Sequence, residues 1–462
     1  MTIEQLQEII NKPNTNEAVY LLTQSDLNLP SWANDLEPQY NEMKHAIMVD
    51  ALRYPVKMQN GVDQIRRIPL AKQKEAVNKM AQSLFYTDVV RKYDIENDDE
   101  QAEEAKEALE INYKVLNAVD SLNMERGKEL FKSCQVATVW RLEKKRTTIK
   151  GKTSEFALTH NLYSPALGYK LYPYFSDEKR LLGLSIGWTD ARDATMKLIT
   201  YVVGAVITYE NTGGGWKQLD IEQNDLDVLP VIYTWIDEPV WGGKGGTALV
   251  EIMEDILSKQ MMYIDKNTVP TYVIYKGEGG RVSKVEEKPD DSRRVIVVEK
   301  GGFMNAVQWE GAKDAVEWQY RTIEEQFYQQ TQVFNNSPSA MQKTPLSADN
   351  KEILLFDSKA RAKDYGGEYV YMLTEEFDLV KKLMAVQFPV WANQLEMLNC
   401  RSIITPYSVR SLKDRAESIK IARDAGVISI EQGVEELDVV DNVSNEVELI
   451  MNERNQEINN LL

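Results

Sequence analysis

Between Thr247 and Phe388 the sequence lays out an order of elements that few folds accommodate. The run "TALVEIMEDILSKQMMYIDKNTVP" (247–270) places Leu249, Ile252, Met253, Ile256, Leu257 and Tyr263 on one side and Glu251, Glu254, Asp255 and Lys259 over much of the rest. That period predicts an amphipathic helix, and Pro270 stops it. Residues 271–309 change period: "TYVIYK" and "RRVIVVE" are strand-like, "FMNAVQW" follows "KGG", and a charged turn segment, "GEGGRVSKVEEKPDDS", separates the first two. Helical spacing returns in "AKDAVEWQYRTIEEQFYQQTQ" (312–332), where Val316, Tyr320, Ile323 and Phe327 share a face over roughly 30 Å. A polar, Pro-containing stretch follows, "TQVFNNSPSAMQKTPLSADN" (331–350). Asp349 and Glu352 then give a capping-box-like start to a long helix that Pro389 ends, and Gly366-Gly367 near its middle predicts a kink. The helices bracketing 271–309 should run antiparallel, with the insertion at one tip and the polar loop near the other. Each carries a substantial polar surface, so the pair makes no core alone and needs partners, which identical neighbours in a ring would supply.

The flanking regions read as helix, then sheet, then helix. Residues 1–60 mix short amphipathic helices with Pro and Asn breaks, and 62–93 read as helical, with Ala76, Val77, Met80 and Leu84 on one face. The acid run "DIENDDEQAEEAKEALE" (94–110) reads as a solvated helix start, because acids favour the N-terminal dipole and the run lacks the Gly and spacing of a calcium loop. The stripe Ala105, Leu109, Tyr113, Leu116 and Val119 predicts that this helix continues. From 135 to 240 the segments "QVATVWRL", "SEFALTHNLY", "LLGLSIGWTD", "LITYVVGAVITYE" and "DVLPVIYTWIDE" are short, β-branched or aromatic, with "ENTGGGWKQLD" as a hairpin turn region. The fold class is therefore α+β. "WGGKGG" (241–246) superficially resembles a phosphate loop, but Gly245 follows Lys244 where Ser or Thr belongs, so it reads as a flexible hinge before a helix. The last sixty or so residues are helical and acidic, with Gly426 as a C-cap, Ser429–Gln432 as a helix start, and a final helix over 445–460.

Composition narrows the chemistry. The chain of 462 residues has room for about three structural units. No apolar run is long enough to cross a membrane; the nearest, "ATMKLITYVVGAVITYE" (194–210), reads as buried strands. The N-terminus lacks the pattern of a secretory signal. Two cysteines, Cys134 and Cys400, predict free buried thiols in a reducing compartment, and His45 and His160 belong to no metal or nucleophile pattern. No metal or cofactor is expected. A net charge of −18 opposes tight binding of nucleic acid: either the chain never meets it, or it meets it without gripping it.

In this order of parts the sequence resembles the tailed-bacteriophage portal proteins, the head-to-tail connectors. "VLPVIYTWIDEPVWGGKGGTALVEIMEDI" looks like the passage from a β-rich wing into the first stem helix, 271–309 resembles the clip, and 312–332 the second stem helix. "VFNNSPSAMQKTPLSADN" occupies the tunnel-loop position, though it is short and lacks the usual Gly before the following helix. Residues 350–388 match the long wing helix, and "DAGVISIEQGVEEL" is similar to a Gly–x–Ile–Ser–x–Glu phrase near portal C-termini. The resemblance covers about 240–440 well, and 1–134 only in general character.

The resemblance implies a portal-like fold: wing 1–240 with its β-rich part from about 135, first stem helix 241–270, clip 271–311, and second stem helix 312–332. A tunnel loop over 333–349, a kinked wing helix over 350–390, and the rest of the wing with a helical crown over 391–462 complete it. It implies a ring of about twelve copies at one capsid vertex, assembled in the host cytoplasm and resident in the virion. Double-stranded DNA would pass through the channel without sequence specificity during packaging and ejection. Terminase, head-completion or adaptor proteins, and the major capsid and scaffold proteins would be partners; no membrane is involved. Asn335, Asn336, Ser337, Gln342 and Lys343 would touch DNA weakly, and Lys284, Lys288, Arg293 and Arg294 would dock partners at the clip. Gly366 and Gly367 would kink the wing helix. The chain would not be an enzyme. The alternatives are another ring-forming virion structural protein, a monomeric intracellular scaffold, and, further off, a carboxylate-dependent hydrolase.

Overall fold

A computed structural model describes residues 1–24, 27–54, 58–59, 62–63, 66–94, 100–223, 228–267, 271–275, 294–298, 312–335, 348–405, 412–437, 443 and 446–452. The fold is α+β, as the sequence predicts. The chain divides into two compact units, Met1–Val333 with Arg361–Pro406, and Phe334–Ala360 with Tyr407–Leu462.

The first unit begins with helices α1 (Ile3–Ile10), α2 (Thr15–Leu22), the short α3 (Glu37–Tyr40) and α4 (Ala46–Val49), and a minimal hairpin of β1 (Met58–Gln59) with β2 (Val62–Asp63). Thr2 caps α1 in a reciprocal capping box with Gln5. Next come α5 (Lys72–Phe85), β3 (Val90–Asp94), α6 (Glu100–Glu110) and α7 (Val119–Ser133). Two expectations are corrected here. The helix predicted over 62–93 is α5 alone; β3 follows it, paired antiparallel with β14 (Asn399–Ile403). The helix predicted to run from the acid run 94–110 through Val119 is described from Glu100, Asp94 belonging to β3, and it ends in a wide π-helical turn at Ile111–Leu116 and a left-handed Ala118, so that α7 is a new helix.

The β-rich part is layered. Strands β4 (Gln135–Ile149), β5 (Lys152–Tyr163) and β11 (Val231–Trp235) form one antiparallel sheet in the order β11-β4-β5. Strands β6 (Lys170–Phe175), β7 (Leu181–Thr189), β8 (Met196–Val202), β9 (Ala205–Asn211) and β10 (Trp216–Gln223) form a meander in sequence order. Alternation decides what each face meets. Ala137 and Val139 of β4, with Val231 and Tyr233 of β11, pack on Leu171, Leu184, Ile186 and Tyr201 of the meander. Val136 and Trp140 of β4 point the other way, into the helical core. The opposite face of the meander carries Tyr174, Leu198, Ile207 and Tyr209 against Leu6, Val19 and Leu22 of α1 and α2. A strand buried on both faces has no alternation of apolar and charged residues, which is why "VATVW" carries none.

Helices α8 (Gly243–Asn267) and α9 (Ala312–Thr331) flank β12 (Thr271–Tyr275) and β13 (Arg294–Val298). Then α10 (Ala348–Gln387) and α11 (Ala392–Met397) lead into β14. The large core joins α5, α6 and α7 to the Ala362–Met384 part of α10 and to Phe388 beyond its end, with Trp140, Trp241 and Phe131 fully buried. In the second unit α12 (Leu412–Asp424) closes at Gly426, which is left-handed, with Val427 N–H returning to Ala422 O. Ser429 accepts from Gln432 N–H at the start of α13 (Ile430–Leu437), and Gly433 sits against Ile419. Residues 446–452 are helical; the remainder of the helix expected over 445–460 lies outside the described residues.

Candidate functional site: a projecting helical hairpin and its anchors

The α8–α9 pair is antiparallel. A Cβ placed on Gly246, at the start of α8, would lie 3.7 Å from the Phe327 ring near the end of α9. The base of the pair is gathered by Arg361 of α10. Its Nη1 donates to Val240 O, just before α8, at 3.0 Å and to Thr331 O at the end of α9, and its Nη2 donates to Tyr365 Oη at 3.0 Å. A guanidinium on the last carbonyl of a helix satisfies an orphan acceptor and complements the helix dipole.

The glycine-rich start of α8 is packed rather than hinged. Gly242 and Gly243 have φ of 75° and 55°, and a Cβ at Gly246 would fall 1.7 Å from Trp241 O. Only glycine permits that backbone approach. The segment read as a hinge before the helix is thus largely its first turn.

The proximal half of α8 is embedded in polar contacts. His45 Nδ1 lies 2.6 Å from Glu254 Oε1, and His45 Nε2 lies 2.8 Å from Gln39 O. Both ring nitrogens face carbonyl or carboxylate oxygens, an arrangement that the doubly protonated imidazole satisfies. Burial by itself lowers the pKa of His45; the hydrogen bond and charge of Glu254 outweigh it, and the pKa rises. Leu70 N–H donates to Glu254 Oε1 at 2.7 Å, Ile68 N–H to Ser258 Oγ at 3.0 Å, and Arg53 reaches Glu251 at 2.7 Å. On α9, Glu324 meets Lys72 at 2.8 Å, and Tyr328 Oη both accepts from Lys72 and donates to Glu75. Desolvation opposes the charge on Lys72, but these acceptors hold its pKa well above the usual range.

The distal half differs. After Ser258 no described side chain of α8 is buried, and on α9 none is buried before Phe327. Apolar groups lie open on both halves of the hairpin: Trp318 of the distal half is 70% exposed and Ile252 of the proximal half 38%. At the far end β12 and β13 pair in parallel, Thr271 opposite Arg294 through Tyr275 opposite Val298. A parallel pair requires a crossover that returns the chain to the same end. That connection, 276–293, lies outside the described residues.

Helix α10, which follows the polar loop, is held by a buried ionic cluster. Arg126 of α7 grips Glu376 with two nitrogens, at 2.7 and 3.0 Å. Tyr113 Oη and Trp140 Nε1 donate to the same carboxylate at 2.7 and 2.8 Å, while Arg126 also reaches Tyr369, Asn123 and Thr138. Both charged side chains are at most 1% exposed. Desolvation would raise the Glu376 pKa, but Arg126 and the two neutral donors bring it below the usual carboxylate range. The wide turn at Ile111–Leu116 is what brings Tyr113 to this cluster.

Of the residues predicted to act, the structure describes a minority. Asn335 is half-buried; Asn336, Ser337, Gln342 and Lys343 lie outside the described residues, as do Lys284, Lys288 and Arg293. Arg294 begins β13, with only its backbone described. Asp349 and Glu352 fall within α10, their side chains outside the described set. Helix α10 continues through Gly366 and Gly367; a Cβ at Gly366 would make ordinary contact with Leu84, and at Gly367 would meet open space. Cys134 and Cys400 are free thiols, Cys134 buried and Cys400 partly so, and burial pushes their pKa values up to about 12 and about 11. His160 packs on Trp140, and burial lowers its pKa. The sequence reading missed the roles of His45, Arg126, Glu376 and Arg361, whose partners are remote in the chain. It also passed over the basic run 141–152, which a local charge count would have found.

Among the described residues no group of three metal-ligating side chains gathers, and no helix is long and apolar enough to cross a membrane. No protein-family model and no characterised protein sequence matches the chain.

Proposed function

We propose that this chain is a portal-type subunit: copies of it close into a ring whose channel passes double-stranded DNA at a capsid vertex. The observation that carries this reading is the α8–α9 hairpin. It is anchored at its base by Arg361, His45 and Lys72, has no buried side chain among the described residues of its distal half, and bears a parallel strand pair at its tip. An antiparallel pair with Trp318 and Ile252 in water is incomplete as a monomer. Lateral packing of identical hairpins around an axis would cover those groups without leaving an open edge.

Charge fits the same reading. A ring of about twelve copies would carry about −216, so a channel wall would mostly repel phosphates. Each phosphate contact made during translocation must also break. Sparse polar contacts from the loop 335–346, with Asn335, Asn336, Ser337, Gln342 and Lys343, lower that barrier relative to a basic lining. The clip segment with Lys284, Lys288, Arg293 and Arg294 would dock terminase and then head-completion proteins.

Negative-stain imaging of the purified chain tests the assembly: rings with a central hole are expected, and solid particles or open filaments would count against it. Packaging assays test the loop. Lys343→Glu and a deletion within 335–346 should each impair DNA translocation, and full activity in both would remove the loop from the channel.

A further inference from the structure

The β4–β5 hairpin concentrates positive charge in an otherwise acidic chain. Between residues 141 and 152 stand Arg141, Lys144, Lys145, Arg146, Lys150 and Lys152, against Glu143 alone. All six cations are exposed. Lys150 pairs with Glu107 of α6; the other five have no carboxylate within ion-pair reach among the described residues.

The hairpin is built to hold that charge in place. Its tip is the two-residue turn Lys150-Gly151, with φ of 48° and 76°, the left-handed pair that suits the strand twist. Ile149 is 2% exposed and belongs to the large core, so the tip is seated rather than free. The ladder pairs Lys144 with Phe156 and Thr147 with Ser154, which leaves Lys145 and Arg146 together opposite Glu155. Such a bulge re-aims consecutive side chains and spreads the cations over both faces of the ribbon.

We propose that this basic hairpin is a sequence-independent binding site for the phosphate backbone of duplex DNA. From Arg141 to Arg146 the strand covers roughly 17 Å, and a duplex presents one phosphate per roughly 1.7 Å of its axis. Several phosphates therefore lie along that length, within reach of the cations that share a face of the ribbon. The composition disfavours a protein partner: interface centres are depleted in Lys and enriched in aromatic and apolar groups. Across 141–156 Phe156 is the single exposed large apolar side chain. The acidic remainder of the chain repels DNA, so the attachment is weak, reversible and steeply salt-dependent. The inference rests on the hairpin alone and holds whether or not copies of the chain form a ring.

Fluorescence anisotropy of a short labelled duplex, titrated with the full chain from about 25 to about 200 mM salt, tests it. Wild type should bind at low salt. The K144Q/K145Q/R146Q variant should lose about tenfold or more in affinity at the lowest salt, and its log–log salt slope should flatten by about 2 to 3, near 0.9 per cation removed. K144R/K145R should bind like wild type, and all variants should keep the wild-type thermal midpoint. No duplex binding at the lowest salt, or the same affinity and slope in the Gln variant, would overturn the proposal. So would capture of labelled poly-glutamate without capture of duplex, which would assign the hairpin to an acidic protein partner.

Discussion

Two parts of the first unit make opposite use of polar residues. Around Glu376, a carboxylate, a guanidinium, a phenol and an indole satisfy one another inside a dry core. Along the distal halves of α8 and α9, polar side chains face water and apolar ones such as Trp318 are left exposed by the described residues. The first arrangement is closed: every strong group has its partner within the same molecule. The second is open, and its amphipathic face is the kind of surface that a neighbouring copy completes. The difference teaches that periodicity alone does not separate a helix finished by its own chain from one that waits for another.

Breaking the closed region should have the largest effect. Glu376→Ala leaves Arg126 buried without its counter-charge, which costs about 3–5 kcal/mol. Chemical denaturation should show it as a lower midpoint at unchanged slope. A variant as stable as wild type would mean that the cluster does not bind α10 to the core. Gly246→Ala comes next, because the new methyl collides with the Trp241 carbonyl and the backbone must move; a loss of roughly 1–3 kcal/mol is expected by the same assay.

The junction between the two regions should respond to pH. The folded-state pKa of His45 is raised above its unfolded value, so the stability it contributes is fully present below about 6.5 and is lost as pH rises through the folded pKa. Neutral His45 can donate through only one nitrogen, leaving either Glu254 or Gln39 O unmatched, a cost of roughly 1–3 kcal/mol. The thermal midpoint of wild type should therefore fall on the alkaline side relative to His45→Gln, which starts lower and varies less. Parallel pH curves for the two proteins would contradict a charged His45. The smallest effect on the fold should come from the open region. Trp318→Asp should change monomer stability by less than about 0.5 kcal/mol while abolishing self-association.

Much of the fold was legible in the sequence, and the failures share a cause. "QVATVWRL" announces a strand, and the α8 and α9 stripes announce helices, because each pattern is local. Residues 90–94 were absorbed into a predicted helix because their partner strand, 399–403, lies some three hundred positions away. The helix drawn through Val119 failed because the Tyr113–Glu376 bond favours a widened turn that no hydrophobic stripe encodes. His45 looked inert because its partner is 209 positions distant. The basic hairpin was hidden by a different error: a net charge of −18 averages over the whole chain, whereas a phosphate meets only the charges near it.

The central claim is that the projecting hairpin is completed by copies of the same chain. The most direct measurement is the molar mass in solution, from light scattering across a range of concentrations, for wild type and Trp318→Asp side by side. The account expects wild type to form a discrete closed species of about 635 kDa, about twelve times the 52.9 kDa chain, and the variant to remain at 52.9 kDa with its thermal midpoint unchanged. Wild type at 52.9 kDa at every concentration would contradict it.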